Sequence, residues 1–230
     1  MDTPARTKHA VVTGTGSGIG AAIARRLLDE GWYVTGLDRS VGSISAPVFN
    51  GVVIDLTDFD GVSSLLREMS GVHAFVHAAG YMRVAPLGEV RPQDGEGMWR
   101  IHVQAAVVIA NALIPKFSPQ GRIVLIGSRT AFGAAGRSQY SASKAALVGL
   151  ARSWASELAP RGITVNIVAP GATDTPMLQD PSRSGAQPRM PPIGRFIRPE
   201  EVAALTSFLL TDDAGAITGQ QIVICGGGSL

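Results

Sequence analysis

The 230-residue chain has one cysteine, Cys225, which excludes an internal disulfide and a zinc site built on clustered thiolates. It has no uninterrupted apolar run of the roughly 18–20 residues that crosses a bilayer. Neither charge sign dominates: 20 Lys and Arg against 18 Asp and Glu leave +2, which argues against a nucleic-acid binder built on a basic face. Lysine is scarce, at positions 8, 116 and 144 alone. No His/Cys cluster suggests a metal. Residues 1–8 are polar and lack a signal-peptide layout, so a soluble, cytoplasmic protein with no membrane partner is expected. What is present is a 45% hydrophobic composition, enough to bury a core, and 28 glycines with no triplet period.

Short β-branched runs alternate with longer amphipathic stretches along the whole chain. Strands are expected at 9–13, 32–37, 52–54, 72–77, 122–126, 163–168 and 221–224. Helices are expected at 19–30, 59–69, around 98–114, 140–158 and 200–210. Continuous apolar strands alternating with helices indicate a parallel sheet covered on both faces. The fold class is therefore α/β: one doubly wound domain over 1–230 with seven parallel strands. Residues 174–198 break the rhythm, with prolines at 176, 181, 188, 191 and 192. A loop this long after a strand's carboxyl end, where α/β sheets bind ligands, reads as a substrate loop or lid.

The first strand-to-helix turn reads Thr13-Gly14-Thr15-Gly16-Ser17-Gly18-Ile19-Gly20. Glycines there let the backbone turn tightly and approach a pyrophosphate, which rests on the helix amino terminus. A glycine cluster alone is weak evidence; a strand before it and a helix after it strengthen it. The second strand ends at Asp38, an acid placed to accept hydrogen bonds from ribose hydroxyls and to repel a 2′-phosphate. Arg39 beside it partly offsets that repulsion. NAD is therefore expected in preference to NADP.

The helix at 140–158 opens with Tyr140-Ser141-Ala142-Ser143-Lys144. Residues four apart share a helix face, so phenol and ammonium can enter one pocket. A phenol titrates near pH 10, and a nearby ammonium favours phenolate. Ser128, ending the preceding strand, can hydrogen-bond a substrate oxygen. Tyr and Lys at this spacing are common on any helix; joined to Ser128 and the glycine turn they carry weight.

These residues resemble the short-chain dehydrogenase/reductase family over nearly the whole chain. Thr13-Gly14-x-x-x-Gly18-x-Gly20 is similar to its cofactor turn, and Asp55-Leu56 to its adenine-contacting segment. Ser128 with Tyr140-x-x-x-Lys144 resembles its catalytic centre, and Pro170-Gly171-Ala172-Thr173-Asp174-Thr175 its nicotinamide-contacting segment. The resemblance implies a Rossmann domain, usually a homotetramer (a homodimer is the alternative), moving hydride between NAD(P) and an alcohol or ketone. Three departures stand out. The strand-four signature is His77-Ala78-Ala79-Gly80 where the family usually has Asn-Asn-Ala-Gly. His102 occupies the place of a catalytic Asn on the central helix. The Ser128-to-Tyr140 spacing is one residue shorter than the commonest. His77 reads as a structural strand-end residue, and Cys225 as a small core side chain.

Arg83, just past Gly80, Arg129, beside Ser128, and Met177 are the candidate substrate contacts, Arg being suited to bidentate carboxylate recognition. Gly80-Tyr81-Met82-Arg83 and Thr173-Asp174-Thr175 resemble the dihydroxybenzoate-forming branch of the family. Oxidation of a carboxylated cyclic diol, as 2,3-dihydro-2,3-dihydroxybenzoate dehydrogenase performs, is therefore an alternative reaction. A non-catalytic dinucleotide-binding regulator would be expected to lack Tyr140 or Lys144, and a lyase on this fold to lack the lysine and the intact glycine turn.

Overall fold

A computed structural model describes residues 7–180 and 189–230. Seven strands form one parallel sheet: β1 His9–Thr13, β2 Tyr33–Asp38, β3 Phe49–Val53, β4 Val72–His77, β5 Phe117–Ile126, β6 Thr164–Pro170 and β7 Gln221–Ile224. Their order is β3-β2-β1-β4-β5-β6-β7, and every pairing is parallel. The helices are α1 Gly18–Asp29, α2 Phe59–Arg67, α3 Pro92–Trp99, α4 Ala105–Leu113, α5 Ser138–Leu158 and α6 Pro199–Leu209.

Strand periodicity divides the apolar side chains between two cores. Val11, Phe75, Leu125 and Ile167 face α2, α4 and α5, where Ile109, Leu113 and Leu147 meet them. Their neighbours Val12, Val76, Val124 and Val168 face α1 and α6, against Ile23, Leu27, Val202 and Leu209. Burial on both faces is why β1, β4, β5 and β6 read as continuous hydrophobic runs. The edge strands β3 and β7 are only part-buried. Hence Cys225, one residue past β7, is half-buried rather than a core residue, and its thiol donates to Ser229 Oγ at 3.4 Å.

The strand order reverses between β1 and β4, and Thr13 is in register with Leu37 on one side and His77 on the other. The carboxyl ends of these strands open a crevice, the usual ligand position of a doubly wound sheet.

Two local features depart from the sequence reading. Between α3 and α4 the helix widens into a π-turn, Arg100–Gln104, in which the Ala105 N–H bonds to Arg100 O. The helical run Pro92–Lys116 is also long and apolar enough, by length and composition, to cross a membrane. Mean hydropathy passes over isolated polar residues, whereas a search for unbroken apolar runs stops at them. The run's buried residues include Met98, His102, Ile109 and Leu113. The expected lid at 174–198 lies partly outside the described residues. Its two ends are tied by a parallel bridge between Thr173 and Ile197, with Asp174 N donating to Ile197 O at 2.8 Å.

Candidate active site

The glycine turn is pressed against the end of β4. Gly14 sits at φ +77°, and a Cβ there would lie 2.8 Å from Ala79 N, so only glycine fits. The Thr13 hydroxyl accepts the Ala78 and Ala79 N–H groups at 3.0 and 3.1 Å and contacts His77 Nδ1 at 3.0 Å. Helix α1 starts at Gly18 with no side-chain cap and no acid in its first turn, which leaves its positive end to a ligand. Asp38 accepts the Gly16 N–H through Oδ2 at 3.0 Å; its Oδ1 accepts from Ser40 N and Oγ at 2.9 and 2.8 Å. Asp55 accepts the Thr57 N–H and O–H, both at 2.8 Å, and these bonds hold its carboxyl below the usual range.

On the other side of the crevice, Tyr140, Lys144 and Ser128 are all buried. The Lys144 ammonium donates to Ile126 O at 2.8 Å and lies 5.9 Å from the Tyr140 ring centroid. Burial lowers its pKa to about 7. Ser128 Oγ accepts the Thr130 N–H at 3.2 Å and shares a hydrogen bond with Thr130 Oγ1 at 2.9 Å. The π-turn carries His102 to this group, its ring edge-on to Tyr140 with centroids 5.5 Å apart. His102 Nε2 accepts the Tyr81 N–H at 3.3 Å and Nδ1 contacts Ser143 Oγ at 2.9 Å. Burial, first, and the Lys144 charge, second, push the His102 pKa well below its ordinary value. The same two causes lower that of His77 to about 3.

A cleft of about 1690 Å³ runs from Asp38 to Met177. It is lined by Gly14, Ser17, Gly18, Ile19, Gly20, Arg39, Asp55, Leu56, Ala78, Ala79 and Gly80, and then by Pro170, Gly171, Thr173 and Thr175. Gly16 lies outside this lining and contributes its N–H to Asp38. At the other end of the cleft Met82, Met98 and Tyr140 form a small apolar cluster with Tyr81, Val84 and Met177 packed on it. The two arginines there differ. Arg83 lies 5.1 Å from the Tyr81 ring centroid and 3.8 Å from the Asp180 carboxylate. Arg129 is half-buried and has no ion pair among the described residues.

A family model described as enoyl-(acyl carrier protein) reductase matches residues 14–229. The chain is 33% identical over 239 residues to the 3-oxoacyl-[acyl-carrier-protein] reductase of Thermotoga maritima, covering 96% of this chain and 97% of the relative. The family is thereby decided. The chain belongs to the short-chain dehydrogenases/reductases. It is also 35% identical over 242 residues to the 2,3-dihydro-2,3-dihydroxybenzoate dehydrogenase of Escherichia coli, covering 97% of each. A blue fluorescent protein from a metagenomic library, solved in complex with NADPH, superposes with a TM-score of 0.86 at 33% identity, covering 97% of this chain and 98% of that one. As a short-chain dehydrogenase/reductase the protein is an oxidoreductase of a family that binds a nicotinamide dinucleotide.

This member of the short-chain dehydrogenases/reductases brings every candidate catalytic, cofactor and substrate residue singled out from its sequence to one cleft or its supporting bonds. Sequence reasoning missed Ser143, the hydroxyl role of Thr13 and the π-turn. Ser143 carried a usable signal, lying within the Tyr140-to-Lys144 segment one residue before the lysine.

The buried ammonium has a measurable consequence. Between pH 7 and Lys144's ordinary 10.5, the unfolded chain holds a proton that the folded chain has released, so stability rises with pH across that window. A Lys144→Met variant is expected to be the more stable protein at pH 7, with its advantage shrinking toward pH 10. Thermal melts of both proteins without cofactor check this; a pH-independent difference contradicts it.

Proposed function

We propose that the protein is an NAD-dependent oxidoreductase interconverting a secondary alcohol and a ketone, with Tyr140 as acid and base. The observation that carries this reading is the burial of Tyr140 and Lys144 one turn apart on α5, at the same sheet end as Ser128 and the glycine turn. The cradle fits a dinucleotide: the turn has no room for a Cβ at Gly14, and Asp38 is braced at the end of β2. Gly14, Ser17, Gly18 and Gly20 would hold the pyrophosphate, Asp38 the adenosine ribose, and Asp55 with Leu56 the adenine side. When bound, NAD supplies the hydride acceptor.

In the oxidative direction Ser128 Oγ orients the substrate oxygen and Tyr140, as phenolate, takes the hydroxyl proton. Lys144, charged, favours the phenolate and binds the nicotinamide ribose. His102 stands beside this pair in the place of the usual Asn, its Nε2 held by the Tyr81 N–H and its Nδ1 by Ser143. A positioned base of this kind typically contributes about 10²–10⁴-fold, orientation supplying much of the rest. A regulator without turnover is disfavoured by the retention of both Tyr140 and Lys144. We infer further a homotetramer in the cytoplasm and a closing role for the 174–198 loop.

A second reading, oxidation of a carboxylated cyclic diol, is favoured by Arg129. A half-buried guanidinium with no ion pair among the described residues, next to Ser128 in a cleft that Met82, Val84 and Met177 also line, suits an acid with a hydrocarbon body. The likeness to the dihydroxybenzoate enzyme points the same way.

Activity is tested by an NAD-linked screen over cyclic diols, sugar alcohols, hydroxy acids and aryl ketones. Preferred turnover of acidic members supports the second reading. With the best substrate, Tyr140→Phe is expected to bind NAD nearly as the wild type does while kcat falls by about two orders of magnitude or more. Retention of most turnover sinks the assignment of the base.

Cofactor choice follows from Asp38. A 2′-phosphate would bring a second negative charge against a carboxylate already fixed by three donors, and Arg39 alone is a modest counterweight. NAD is expected to exceed NADP by about tenfold or more in kcat/KM, roughly 1.4 kcal/mol. Asp38→Ser narrows that ratio. An NADP-preferring wild type shows that Arg39 governs the choice.

A further inference from the structure

His77 is fully buried, and the reaction just described leaves it unused. Hydrogen-bond accounting fixes its tautomer. The Thr13 hydroxyl accepts the Ala78 and Ala79 N–H groups, which fills both lone pairs, so its one proton goes to His77 Nδ1 at 3.0 Å. A neutral ring whose Nδ1 accepts carries its proton on Nε2, and Nε2 donates to Ile101 O at 2.9 Å. Ile101 lies inside the π-turn. A regular α-helix would give Ile101 O to the Ala105 N–H, which here bonds to Arg100 O instead. The imidazole takes the carbonyl that the wider turn sets free.

The next residue along, His102, has the opposite tautomer. Its Nε2 accepts from Tyr81 N, so Nδ1 donates to Ser143 Oγ, whose proton passes on to Tyr140 O at 2.8 Å. A Cβ placed on Gly80 would lie 2.6 Å from His102 Nε2 and 3.8 Å from Lys144 Nζ, so both nitrogens crowd one spot beside the turn. An unbroken route of bonds and one helical turn thus joins the cofactor turn at Thr13 to the main chain of Tyr140.

We propose that His77 is a positioning residue, which holds the π-turn open and thereby sets His102 against Lys144 and Tyr140. The proposal rests on reading Tyr140 and Lys144 as the proton-transfer pair. A side chain that merely filled this space would leave the Thr13 O–H without its acceptor in a buried interior and would take the Nε2–H donor away from Ile101 O. Asparagine-like bonding at one point would not explain the turn; a donor aimed at Ile101 O does.

The test is long-range nitrogen–proton NMR on the full-length protein labelled with ¹⁵N-histidine, with NAD added. In the wild type His77 is expected with its proton on Nε2 and His102 with its proton on Nδ1. In His77→Phe, His102 is expected to lose that single tautomer. In the NAD-linked assay with the best substrate of the screen, kcat should fall about tenfold or more while KM for NAD stays within about twofold. His77→Gln, whose amide can donate to Ile101 O, should restore the His102 signal and most of kcat. A wild-type His77 protonated on Nδ1 overturns the proposal. So does a His77→Phe protein that melts lower but keeps the His102 tautomer and kcat, since that is a purely structural role. Should His77→Phe not fold, the wild-type tautomers and the His77→Gln rescue decide. The tautomer measurement needs no turnover, so an inactive wild type would count against the Tyr140 assignment and not against this one.

Discussion

The Thr13 hydroxyl is the joint on which the site depends. β1 and β4 are adjacent in the sheet, but the chain leaves them in opposite directions, and the crevice between those exits has to be held at a fixed width. One oxygen does this by accepting two N–H groups from the Ala78–Ala79 turn and donating to His77. Gly14 then lies so close to Ala79 that neither turn can shift without the other. Everything further along, from the open amino end of α1 to the π-turn behind His102, is placed relative to that joint.

Charge differs between three regions of the cleft. The Asp38 and Asp55 carboxylates occupy the far end, each satisfied by neighbouring N–H and O–H donors rather than by cations. The middle is buried and holds Lys144, whose ammonium donates to the main-chain carbonyl of Ile126, flanked by two histidines that their own bonds keep neutral. With no counter-ion among the described residues, burial holds this ammonium near its point of neutralisation, the kind of perturbed group that gathers at functional sites. The near end is apolar with arginines at its margin. Of these, Arg83 has Tyr81 and Asp180 as neighbours, which leaves Arg129 as the better-placed cation for an incoming ligand.

Much of this was legible in the sequence because the periodic elements and the glycine turn are local signals. β1, β4 and β7 fall at the residues their apolar runs indicate, and α5 begins two residues before Tyr140. The apolar run predicts β5 over 122–126, whereas the strand begins at Phe117, because Phe117 pairs with Val72 across a register shift that no local pattern reveals. The π-turn was invisible for a similar reason: the donor that claims Ile101 O is His77, 24 residues earlier in the chain. Arg83 and Arg129 looked equivalent as residues following a strand end; only the folded positions of Tyr81 and Asp180 separate them. Cys225 is half-buried where its sequence predicts a core side chain, because an apolar run in an edge strand resembles one in the interior.

The central claim is that this cleft carries direct hydride transfer between a carbinol carbon and a nicotinamide. The most direct measurement uses a secondary alcohol deuterated at its carbinol carbon, incubated with the enzyme and NAD, with the reduced cofactor recovered for mass spectrometry and NMR. The deuterium is expected on the nicotinamide ring without dilution by solvent protons. Solvent-derived hydrogen at that position, or NAD left unreduced by every member of the substrate panel, would contradict it.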